Sequence, residues 1–128
     1  MTDILVTTPK SEIPNAAQEA LNCIENNGGY YFRYFSKPPK RLDIGDRVFY
    51  VEEGYIRGFA TVYQIKSGKY MCETTGKMWP NGNYVFMSAD SWKWIDPILH
   101  QGFQGFRYLN DIEFEIVGDW KDPKPRIK

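Results

Sequence analysis

Cysteine and histidine are scarce in this chain, two and one in 128 residues. Cys23 and Cys72 cannot build a disulfide-rich scaffold. With His100 alone beside them they match no zinc-binding spacing. A Ser or Cys nucleophile would want that histidine as its partner, and nothing ties Cys23 to it. Net charge is missing too, since 16 Lys and Arg balance 16 Asp and Glu. That speaks against a protein held to bare phosphate backbone by its overall field, though a local basic patch stays open. No apolar run approaches the ~20 residues of a membrane span. The first residues lack the basic region and apolar stretch of a secretory signal. A soluble cytoplasmic protein with free thiols and no membrane partner is the expectation. A phosphate-cradling loop is absent, because Gly102 and Gly105 are followed by no Lys-Ser/Thr pair. No cofactor and no metal are implied.

What the chain does have is aromatic side chains: 9 Tyr, 8 Phe and 4 Trp, or 16% of residues. Its length predicts one domain over 1–128, with a core over about 28–117 and a polar tail over 119–128 that is loosely held. Residues 4–8 are β-branched and read as a strand. Asn15 can cap a helix, with Gln18 bonding back to it. Ala16, Ala17, Ala20, Leu21 and Ile24 supply that helix with an apolar face. The Asn-Asn-Gly-Gly stretch at 26–29 stops it. Residues 30–35 read as an aromatic strand, ended by two prolines.

The turn Gly45-Asp46 leads into a hairpin of strands at 47–51 and 56–65. Ser67-Gly68 turns again, and 70–75 read as a strand. Residues 76–83 read as a loop, with Pro80-Asn81-Gly82 as its turn chemistry. Another short strand covers 84–87. Residues 88–96 fit either a helix or a strand, closed by Pro97. Residues 101–106 read as loop, and 112–117 as a last strand with alternating acids. The class predicted is α+β, a mixed β pseudo-barrel with a short N-terminal helix.

The order of these parts resembles the PUA-like superfamily, in particular its ASCH and EVE branches. The residues carrying the likeness are Arg33 in an aromatic strand, Gly45-Asp46 before the hairpin, and Gly-Phe-Arg-Tyr at 105–108. The resemblance implies a small pseudo-barrel that binds RNA or nucleobases, often modified ones. One bacterial ASCH branch is an amidohydrolase on acylated cytidine and rests on a Lys, a Thr and a Glu, the Lys and Thr preceding the Gly-Asp turn. Here residues 30–35 offer Arg33 but neither of those, so a binding role is expected ahead of an enzymatic one.

Seven residues stand out for a ligand site. Trp79, Trp92 and Trp94 could stack unpaired bases, worth about 1–3 kcal/mol each. Their competing role is filling the core or covering a sheet edge. Trp79 is the best placed for a ligand. Tyr31 and Arg33 share a strand face with Phe35. An arginine there must meet an acid, a π-face or a ligand, with Asp46 or Glu115 as its acid. Gln104 and Arg107 lie where Gly102 and Gly105 let the backbone approach a ligand. Arg33, Lys37, Lys40, Arg41 and Arg47 form the densest basic stretch, with only Asp43 and Asp46 among them.

The leading function is a module binding single-stranded RNA or DNA, or a modified nucleobase, through stacking and Arg/Gln contacts. The first alternative is a small nucleoside or amide hydrolase with Glu73 or Glu115 as its base. The second is a protein-interaction domain of a regulatory factor.

Overall fold

The computed structural model describes residues 2–7, 30–71, 78–109, 112–123 and 125, with backbone alone at 30–32, 69–71, 78–81 and 89. Among the described residues eight strands are arranged as β1 Asp3–Thr7, β2 Tyr30–Phe35, β3 Arg47–Glu52, β4 Tyr55–Met71, β5 Met78–Ser88, β6 Lys93–Leu99, β7 Phe106–Leu109 and β8 Ile116–Asp119. A 3-10 turn, Ala89–Ser91, separates β5 from β6. The α+β expectation is therefore corrected to a mostly-β fold, a single curled half-barrel sheet, with no α-helix among the described residues. The helix expected over 15–24 lies outside them.

The sheet runs β2-β5-β4-β3-β1-β7, and β6 and β8 branch from β4. The hairpin of β3 and β4 forms as expected, with Arg47 opposite Thr61 and Glu52 opposite Tyr55. Strand β4 is longer than expected. Ser67-Gly68 does not turn the chain: β4 continues to Met71, pairing with β5 beyond Val62. Pro80-Asn81-Gly82 likewise sits inside β5, not in a loop, and Pro97 inside β6. Both prolines fall where the register shifts, between Gly68 and Tyr70 on β4 and between Ile56 and Gly58. A missing N–H costs little at such irregularities.

Strands β5 and β6 lie end to end along one edge of β4. The Thr61 N–H faces the break between them and donates to Ser91 Oγ at 2.8 Å. Ser91 in turn donates to the Ser88 carbonyl at 2.6 Å. One hydroxyl thus fills a gap in the ladder. Strand β1 pairs parallel to β3 and antiparallel to β7.

Alternation along these strands divides the core in two. The concave face carries Ile4, Val6, Val48, Tyr50, Ala60, Val62, Val85, Met87, Trp92 and Trp94. The opposite face carries Leu5, Phe49, Val51, Ile56, Phe59 and Ile95, covered by Phe103, Ile112 and Phe114. This is why β1 and β3 read as unbroken apolar runs, as strands buried on both faces do. Residues 112–115 are not the strand expected there; they cover the second core, and β8 follows at Ile116.

The tail after β8, expected to be loosely held, is tied at two described points. The Trp94 indole donates to the Asp122 carbonyl at 3.2 Å, and Arg57 donates to the Pro125 carbonyl.

Candidate functional site

The two ends of the strand order, β2 and β7, approach each other without a hydrogen-bonded ladder. Side chains close this seam. Phe35 meets Phe106 edge-on at 5.6 Å between ring centroids, and Phe106 meets Tyr108 at 5.4 Å. Arg41, in the segment after β2, lies 3.9 Å above the centre of the Tyr108 ring, and its backbone N–H donates to the Tyr108 hydroxyl at 3.0 Å. Exposed guanidinium–ring stacks of this kind contribute about 0.5–1 kcal/mol.

Arg33 stands at the other end of the seam. Its register partner is Val85, a concave-face residue, so Arg33 belongs to the concave side. It donates to the Thr7 carbonyl at 2.9 Å, its one hydrogen-bond partner among the described residues. The acids expected to pair with it do other work. Asp46 is buried and accepts the Asp43 N–H at 2.8 Å, while Glu115 is exposed and its carbonyl takes the Asp96 N–H. A guanidinium holds five N–H donors, so Arg33 keeps donors to spare at the seam.

Thr7 connects the arginine to the glycine-rich segment. Its hydroxyl accepts the Phe103 N–H at 3.1 Å. A Cβ on Gly102 would come within 3.2 Å of its methyl group, so the two segments approach closely there. Arg107 lies 4.4 Å above the Phe103 ring. It pairs in register with Leu5, however, and Leu5 belongs to the second core. Arg107 and Arg33 therefore occupy opposite faces of the sheet, and they cannot read one ligand inside the curl. Gln104 is exposed in the segment between them.

The tryptophans are distributed differently from the expectation. Trp92 is 0% and Trp94 1% exposed. They meet edge to face at 5.2 Å, and Trp92 also packs against Tyr50. Buried this deeply in the concave core, neither presents a ring to a base. Core filling is their observed role. Trp79 lies in β5 opposite Tyr70, and Tyr31 lies in β2 opposite Met87; both are described by backbone position only. Glu73 and Cys23 lie outside the described residues.

The basic stretch splits in two. Arg47 is structural: its guanidinium grips Asp3 with two bonds, at 2.8 and 3.2 Å, and its backbone N–H donates to the same carboxylate. It also lies within 5.5 Å of the Phe49, Phe59 and Phe114 ring centres. Lys37, Lys40 and Arg41 remain exposed in the segment after β2, and of these Arg41 reaches the seam.

No family model, curated protein or solved structure matches the chain. The functional reading therefore rests on the seam. Two of its members, Arg41 and Tyr108, were not singled out as a pair from the sequence. They are 67 positions apart, and the basic run held Arg41 while the Gly-Phe-Arg-Tyr stretch held Tyr108, with nothing to join the two.

Proposed function

We propose that the protein is a binding module for single-stranded nucleic acid, and that the strand lies along the seam between β2 and β7. One observation carries this reading. Arg41 stacks on Tyr108 and Arg33 bonds the Thr7 carbonyl across an unladdered seam bordered by Phe106 and Tyr108, with exposed Lys37 and Lys40 between the two arginines in the chain. Cations can follow a phosphate backbone while an aromatic ring beside them takes a base. Arg41 is already stacked on Tyr108, so its planar donors are held out toward a phosphate or a base edge. The likeness to the PUA-like superfamily, with its RNA and modified-base ligands, belongs to the same proposal. Buried Trp92 and Trp94 are removed from it, and Gln104 and Arg107 stay as rim residues only.

The test is fluorescence anisotropy with labelled single-stranded RNA and DNA, and competition by free nucleosides. Arg41→Ala should weaken binding about 5- to 100-fold, the range of a stacked base contact, while leaving the thermal midpoint close to wild type. Wild-type affinity in a folded Arg41→Ala and Tyr108→Ala pair would remove the seam from consideration.

A second reading has its own support. Leu99, Ile116 and Val117 are 77%, 52% and 49% exposed on β6 and β8. Exposed apolar groups on an edge strand are what a protein partner uses. Co-purification with protein and without nucleic acid would favour it.

A further inference from the structure

Strand β4 outruns its neighbour on one side. It pairs with β3 as far as Thr61, and the turn before β3 takes over at Val62. There the Gly45 N–H donates to the Val62 carbonyl at 3.0 Å, and the Val62 N–H donates to the Asp46 carbonyl at 2.8 Å. From Gln64 to Met71 the ladder among the described residues continues on the β5 side alone. That edge is longer than a whole strand of typical length, about 5–6 residues. The register shift between Gly68 and Tyr70 puts its extra residue in β5 and not in β4.

Alternate N–H and C=O groups of a strand paired on one side point outward and are a template for another strand. Native edges are commonly shortened, covered or charged. This one carries Lys66 and Lys69 as its only charges. The side chains of Ile65, Lys66 and Ser67 are exposed, and a Cβ built on Gly68 would meet nothing within 4 Å. Apolar groups gather beside it. Ile44, Tyr63 and Ile65 are 63%, 53% and 39% exposed. The bond from Gly45 to Val62 brings Ile44 alongside Tyr63.

We propose that this edge is a homodimer interface, in which two copies of the chain pair β4 with β4, antiparallel, about a two-fold axis. The two curled sheets then join into one. A second copy fits the charges of the edge. With the axis at Ser67, that residue faces its own counterpart, Lys66 faces Gly68, and Ile65 faces Lys69. No two lysines meet, which matters because like charges directly opposite are destabilising. The zero formal net charge adds no long-range repulsion between copies. Ile44, Tyr63 and Ile65 of both copies are brought to one joint. An interface of this extent lies at the low end of interface sizes, so the dimer forms and dissociates with concentration. The edge lies on the β3 side of β4, whereas the seam lies beyond β5 and β2. The pairing therefore does not rest on the nucleic-acid reading.

The experiment uses the full chain. Sedimentation velocity from about 1 μM to about 1 mM should show the mass rising from monomer to dimer. Amide hydrogen exchange within 64–71 should slow over the same range. Ser67→Lys and Ser67→Glu alter an exposed residue and should keep the fold, as checked by circular dichroism. Each sets like charges face to face across the axis and should weaken its own dimer about tenfold or more. Mixed together, the two variants should pair with each other. Should either not fold, Ile44→Lys lies outside the ladder and should weaken the dimer several-fold. The proposal is overturned if the wild type stays monomeric, if exchange within 64–71 is independent of concentration, if the Ser67 variants dimerise as well as the wild type, or if their mixture fails to pair. Saturable binding of an acidic extended peptide by a monomeric wild type would overturn it in favour of that partner.

Discussion

Tyr84 shows how a single side chain ties the packing of this sheet to pH. It is 1% exposed on β5, and its ring meets that of Tyr34 at 5.5 Å. Burial pushes its phenol above the ordinary tyrosine value, and Tyr34 adds to the effect. The unfolded chain therefore releases this proton first as pH rises. The stabilisation is fully present below about pH 10, the ordinary tyrosine value, and is lost as pH climbs through the higher folded value. Denaturant midpoints should fall as pH rises above about 10 in the wild type, and fall less in Tyr84→Phe. Equal losses in the two proteins would show that Tyr84 does not drive the alkaline transition.

Among the elements, the broken strand formed by β5 and β6 depends most on one group. Ser91 accepts from the Thr61 N–H and donates to the Ser88 carbonyl, so its hydroxyl substitutes for a missing ladder residue. Ser91→Ala leaves both backbone groups without that partner at a half-buried site. The expected cost is about 1–3 kcal/mol, read as a lower urea midpoint with an unchanged m-value. Ser91→Thr keeps the hydroxyl and should recover most of it. A neutral Ser91→Ala would mean that water satisfies both groups.

For the whole molecule, charge is distributed unevenly despite its zero sum. The exposed cations Lys37, Lys40 and Arg41 follow Arg33 closely in the chain, while Glu113, Glu115 and Asp122 are exposed around β8. These four cations set an upper bound on the phosphates that the proposed site neutralises. For a single strand they give a slope of log K against log salt of about −3. A slope near zero would point to stacking or a protein partner. A slope much steeper than this would require cations from outside the seam.

Local patterns in the chain were enough for the β3–β4 hairpin, because Gly45-Asp46 and alternating apolar residues act between neighbours. They were enough as well for the strands at β1 and β2. They were misleading at Ser67-Gly68, Pro80 and Pro97, because turn-forming residues can lie within a strand wherever a partner's register shifts, and that partner is distant in sequence. For Trp92 and Trp94 the sequence left helix and strand open, and neither pattern says which face is covered. Their burial depends on β1, β3 and β5 curling around them. Arg33 was legible as a residue needing a partner, and its partner, the Thr7 carbonyl, was not, since backbone acceptors carry no sequence signal. Arg57 carried a signal of its own, a cation inside an apolar run. The parallel pairing of β1 with β3, the seam joining Arg41 to Tyr108, and the tail folded over Arg57 all arise from contacts between segments far apart along the chain. Composition and periodicity act over a few residues, so they limit the strands available. The closing of the sheet decides which residues meet.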